Sequence, residues 1–139
     1  MPTLDIYHDL VKTALQAEGW TITHDPYPLS AGGTELYIDL GAEKLIAAVK
    51  QNQKIAVEVK SFTGKSQITE FYSALGQYLT YKQGLKIAEP DRKLYLAIPK
   101  IAQEEVFSLT LTQQLIAELK IKLLVYSLSG EIISWEQKN

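Results

Sequence analysis

The sequence contains no cysteine, which excludes disulfides, thiolate metal sites and cysteine nucleophiles and removes any need for an oxidising compartment. Histidine is scarce: His8 falls on a helical pattern and His24 near a turn, and the two lack the spacing of a histidine metal site. There is no run of about eighteen apolar residues, and the N-terminus has neither the basic nor the apolar region of a signal peptide. The expectation is a cytoplasmic protein with no membrane span. Excess positive charge is missing as well. The formal net charge is −2 and the pI about 5.7, so contact with DNA would have to rest on a local basic patch or on metal ions. Internal repeats, low-complexity tracts and linkers are also absent.

What is present is enough for one core. A chain of 139 residues, 46% hydrophobic and 22% charged, suits a single domain over 1–139. The periodicity predicts a helix from Asp5 to Glu18, with Ile6, Leu10, Ala14 and Ala17 on its apolar side and Gly19 ending it. "WTITH" reads as a short strand and "DPYPLSAGGTE" as a loop in which Asp25 organises the turn before Pro26. "LYIDLGAE", "KLIAAVK" and "KIAVEVK" read as three strands, the last two joined by "QNQ". A second helix starts after Ser66 and stops before Gly84, followed by the strand "KLYLAIP", a helix near Thr112 to Leu119, and the strands "IKLLVYS" and "EIISW". This order predicts an α/β domain with a mixed central sheet flanked by helices.

The chemistry concentrates in "KIAVEVKS". In a strand, Ile55, Val57 and Val59 point one way and Ala56, Glu58 and Lys60 the other, so an acid and a base share one face of an apolar strand. On the strand before it, Asp39 alternates with Leu36, Ile38 and Leu40. Carboxylates from adjacent strands suit a hard cation such as Mg²⁺ or Mn²⁺, and a neighbouring lysine can orient a water or offset charge on a phosphate. The bland alternative is a structural Glu58–Lys60 ion pair.

Asp39, Glu58 and Lys60, with the two acids spaced 19 positions apart, resemble the PD-(D/E)XK nuclease pattern, although Ile38 stands where the proline would be. Gln77 and Tyr81 in "QYLTY" resemble the QxxxY element of the RecB-like branch. More specifically, "DIYHDLVKTAL", "GWTITHDP", "YIDLGAEKLIAA", "IAVEVKSF", "ALGQY" and "EPDRKLYLAIP" together resemble the cyanobacterial XisH family, described as controlling excision of the fdxN element. The resemblance implies a restriction-endonuclease-like fold, catalytic roles for Asp39, Glu58, Lys60, Gln77 and Tyr81, and a metal held by Asp39 and Glu58. It also implies DNA, an XisI-type protein and a site-specific recombinase as partners. Val49 departs from the acidic residue that similar members carry there.

Two functional readings follow: a Mg²⁺-dependent endonuclease acting in DNA rearrangement, or a non-catalytic accessory protein that keeps the nuclease fold and binds an XisI-type partner, a recombinase or DNA. With Ile68 at the origin of a helical wheel, Gln77 falls at about 180° and Tyr81 at about 220°, either facing solvent or lining the cleft. The nuclease resemblance implies that Asp5 or Asp9 supplies the first-helix acid of some related nucleases, and Lys44, Lys50, Lys54 and Lys65 form a basic fringe. Trp135 and Tyr126 serve either as core residues or as anchors in a homodimer or a complex.

Overall fold

The computed structural model describes residues 5–46 and 51–136. Its main sheet contains β1 (Thr21–His24), β4 (Leu40–Ile46), β5 (Gln51–Val59), β6 (Lys93–Pro99), β7 (Leu123–Tyr126) and β8 (Ile132–Glu136), in the order β1-β4-β5-β6-β7-β8. β5, β6 and β7 pair in parallel and the remaining neighbours antiparallel, giving a mixed sheet. Helices cover both faces. α1 (Ile6–Ala17) packs with Val57, Tyr95, Leu124 and Tyr126, and α2 (Gln67–Ala88) packs on the other face with Ala56, Leu94, Leu96 and Ile98. Burial on both faces explains why β5, β6 and β7 read as near-continuous apolar runs. α3 (Lys100–Glu104), a 3₁₀ turn (Val106–Ser108) and α4 (Thr110–Glu118) complete the α2 side.

Several sequence expectations are corrected. The segment read as a loop is a hairpin of β2 (Tyr27–Ala31) and β3 (Thr34–Ile38), a separate two-stranded sheet lying on α2. Tyr27, Leu29 and Ala31 are buried while Pro28 and Ser30 are exposed, a period-two pattern hidden by the turn-forming composition. Gly32 and Gly33 carry φ of +58° and +88°, the left-handed pair that a tight two-residue hairpin turn requires. "QNQ" is not a turn, since Asn52 and Gln53 lie inside β5 opposite Leu45 and Lys44. Val49 and Lys50 lie outside the described residues.

The helix faces also differ from expectation. On α1 the buried residues are Val11, Ala14 and Leu15, whereas Ile6 is exposed. α2 does not stop at Gly84 but runs a further turn. Gly84 is buried there because a Cβ would come within 2.9 Å of the Leu29 side chain, so glycine serves close packing with the hairpin rather than termination. The buried face of α2 is Phe71, Ala74, Tyr78 and Leu85, about 90° from the Ile68–Leu75–Leu79 stripe of the sequence reading. α3 was not anticipated, because five residues are too few to show a period.

Candidate metal and phosphate site

The site forms where the chain leaves the β2–β3 hairpin for the main sheet. Asp39 is the bend between β3 and β4, not a strand residue as the sequence suggested. The β4–β5 register pairs Leu40 with Val57, and one further step along it sets Asp39 opposite Glu58. Each carboxylate is held by the backbone beside the other. Val59 N–H donates to Asp39 Oδ2 at 2.8 Å, and Asp39 N–H donates to Glu58 Oε1 at 3.3 Å. Lys60 Nζ lies 3.4 Å from Glu58 Oε2, and its backbone is fixed by a bond from its N–H to Ala97 C=O and one from the Tyr126 hydroxyl to its own C=O.

Glu58 is only 6% exposed, so its charge is costly. Burial, and then the negative charge of Asp39, push its pKa up to about 7, against the smaller opposing effects of Lys60 and the Asp39 N–H. Asp39 is also raised by burial, despite the Val59 N–H and the charges of His8 and Lys60. Two crowded carboxylates sharing one lysine leave an excess of negative charge that suits a cation.

Gln77 and Tyr81 are half-buried. Gln77 Oε1 is buried without a hydrogen-bond partner. The Tyr81 hydroxyl is raised first by burial and then by the charges of Glu58 and Asp39, so it lies within their field. Asp5 caps α1 by accepting from Tyr7 and His8 N–H, and its charge reaches Asp39. Asp9 is exposed in the first turn of α1. Asp25 does not organise its own turn. It receives His8 Nε2 at 2.7 Å and Lys12 Nζ at 2.8 Å, tying α1 to the β1–β2 connection. His24 packs edge-on against Tyr27.

The lysine fringe disperses. Lys44 donates to Glu18 C=O beside Trp20, Lys54 pairs with Glu89, and Lys65 is exposed. Tyr126 is fully buried, and Trp135 packs on Trp20 and Tyr95, so both are used inside the fold. Sequence reasoning missed Arg92, the sole arginine. Its buried guanidinium donates to Ile55 C=O at 2.8 Å, pairs with Glu43 and Glu89, and stacks over the Tyr27 ring. Its singularity was the available signal.

Among the described residues no group of three acidic or histidine side chains is arranged to hold a metal ion. Asp39 and Glu58 by themselves offer two oxygen donor groups, fewer than a closed protein cage needs and of the kind a hard cation that keeps its own water takes. No helix among the described residues is long and apolar enough to cross a membrane.

Comparison with known proteins bears on the whole domain. The family model described as XisH protein matches residues 1–134. The crystal structure of an fdxN element excision controlling factor protein from Anabaena variabilis is similar, with a TM-score of 0.86 and 44% identity over 94% of this chain and 98% of that one. An XisH family protein from Nostoc punctiforme gives the same TM-score at 41% identity, with 94% and 98% of the two chains covered. No curated protein matches the chain. By family model and by structural likeness, this chain belongs to the XisH family.

Proposed function

We propose that the chain acts in DNA-element excision as a Mg²⁺- or Mn²⁺-dependent endonuclease of the restriction-endonuclease-like, PD-(D/E)XK type, hydrolysing phosphodiesters at Asp39, Glu58 and Lys60. The observation that carries this reading is geometric: the Asp39 and Glu58 carboxylates are each held by the backbone beside the other, with Lys60 Nζ 3.4 Å from Glu58, and the upward shift of Glu58 agrees with two acids crowded at one place. A structural ion pair would instead leave its carboxylate low. Asp39 and Glu58 would hold the cation, and a bound Mg²⁺ supplies Lewis-acid polarisation of the phosphate. Lys60, on the same edge, offsets negative charge developing on the phosphoryl oxygens or orients a water. Gln77 and Tyr81 offer polar groups to position substrate. Following the family, the reading takes DNA as substrate and an XisI-type protein and a site-specific recombinase as companions. A homodimer would present one such site to each strand.

The test is cleavage of duplex, branched and single-stranded DNA with Mg²⁺ or Mn²⁺. Glu58→Gln is expected to abolish cleavage by removing a ligand charge, and Lys60→Ala to lower the rate while leaving metal affinity mostly intact. Absence of cleavage on every substrate, with no metal bound, would overturn the catalytic reading and leave an accessory protein that keeps the fold for binding.

A further inference from the structure

Lys60 stands where β5 leaves the sheet, and its two backbone groups meet different partners there. The β5–β6 register pairs Val59 with Ala97, so one further step sets Lys60 opposite Ile98. In a parallel ladder such a residue gives its N–H to the carbonyl before its partner, and its C=O accepts from the N–H after that partner. The first bond is present, since Lys60 N–H donates to Ala97 C=O at 2.9 Å. The second falls on Pro99, the last residue of β6, and proline has no N–H. Leu96 N–H donates to Lys122 C=O on the β7 side, so by alternation residues 97 and 99 face β5. The missing donor therefore falls at Lys60.

The hydroxyl of Tyr126 takes that place. Tyr126 is the β7 partner of Pro99, and its O–H donates to Lys60 C=O at 2.9 Å. Its side chain is fully buried in the cluster on the α1 face. Lys60 follows the alternation of Ala56 and Glu58, and Ala56 packs on the α2 face. The hydroxyl thus grips the Lys60 main chain from behind while the amine meets Glu58 Oε2 at 3.4 Å. Burial, and then the charges of Tyr7 and Asp5, push the phenol above its ordinary range, so it stays a protonated donor. Two residues on, Phe62 holds a left-handed φ of +55° with its ring against Phe107, turning the chain out of the sheet at once. Holding both the N–H and the C=O fixes the backbone dihedrals of Lys60, and with them the direction in which its side chain leaves.

We infer that Tyr126 is a positioning residue for Lys60: its hydroxyl replaces the ladder donor that Pro99 lacks and so sets where the Lys60 amine stands beside Glu58. This role rests on the nuclease reading of Asp39, Glu58 and Lys60 and adds to it the groups that aim the lysine.

Trace labelling of the folded full chain with acetic anhydride, read lysine by lysine in a mass spectrometer, tests this without turnover. Tyr126→Phe keeps the buried ring and removes only the hydroxyl. An amine released from its carboxylate gives up its proton more readily, so Lys60 labelling should rise several-fold while Lys12, Lys54 and Lys82 keep their parental rates. Tyr126→Phe/Pro99→Ala restores an N–H opposite the Lys60 C=O, and labelling should return close to the parent's. Pro99 has φ of −74° and ψ of 156°, which alanine adopts without strain. Where DNA is cleaved, Tyr126→Phe should lower kcat about ten-fold or more with KM little changed, and should cost nothing further in Lys60→Ala. A parent that cuts no DNA overturns the nuclease reading alone, and the labelling still decides the positioning role. That role is overturned if Lys60 labelling does not rise, if all lysines rise together, if Pro99→Ala gives no rescue, or if the kcat losses of Tyr126→Phe and Lys60→Ala multiply.

Discussion

Two carboxylate–cation clusters flank the β4–β5 pair, and they behave in opposite ways. At one end, Glu89 accepts from Tyr27 and Arg92 and lies near Lys54. Burial alone would raise it, but those hydrogen bonds and positive charges outweigh burial and hold its pKa below the usual range. At the other end, Glu58 has Lys60 at 3.4 Å and is nevertheless raised to about 7, because burial and Asp39 exceed what one lysine returns. The first cluster is balanced: Glu43 and Glu89 face Arg92 and Lys54. The second has two carboxylates against one lysine. Proximity of an acid to a base does not by itself identify a structural ion pair. The local charge balance and the burial decide it.

The comparison can be broken at either end. The largest effect is expected at Arg92, where Arg92→Met leaves two glutamates and the Ile55 carbonyl without their donor. A loss of about 3–5 kcal/mol in urea denaturation is expected, and a loss under about 1 kcal/mol would show that the cluster is not structural. Glu58→Gln should act with the opposite sign. The native state keeps the Glu58 proton up to about pH 7 while the unfolded chain releases it near 4.5, so the parent loses stability as pH rises between those values. The variant lacks that loss. It should be more stable than the parent by about 2–3 kcal/mol at pH 8 and indistinguishable near pH 4, and a destabilised variant at pH 8 would contradict the charge account. Thermal unfolding with millimolar Mg²⁺ should show a larger gain at pH 8 than at pH 5, because the cation competes with the Glu58 proton. An equal gain at both would place Mg²⁺ elsewhere. Lys60→Ala should have the smallest effect. It costs about 1 kcal/mol or less at pH 8 and still less at pH 5, where Glu58 is already protonated.

The sequence displayed the main sheet well because β5, β6 and β7 are buried on both faces and so carry long apolar runs. The β2–β3 hairpin was hidden because Pro28, Gly32 and Gly33 punctuate it like a loop, although its Tyr-x-Leu-x-Ala alternation is intact. The buried face of α2 was misplaced because Leu75 and Leu79 look more apolar than Tyr78 and Gly84, yet the latter meet β6 and the hairpin. The nearness of Asp39, Glu58 and Lys60 was legible because the strand holding Glu58 and Lys60 pairs with the strand that follows Asp39, so one fixed interval brings them together. The reciprocal backbone bonds that clamp the two acids were not, because they depend on the bend at Asp39. The Arg92 cluster joins residues from Tyr27 to Arg92, and no local pattern announces it.

The central claim is that burial and the Asp39 carboxylate hold the Glu58 proton up to about pH 7, and that a cation taken by the Asp39–Glu58 pair would displace it. Carbon-13 NMR titration of its side-chain carboxyl, without and with Mg²⁺, tests this directly. The expected result is a midpoint near 7 without metal that moves to lower pH as Mg²⁺ is added, and does not move in Asp39→Asn. A midpoint near 4.5 without metal, or one that Mg²⁺ leaves in place in the parent protein, would contradict the account.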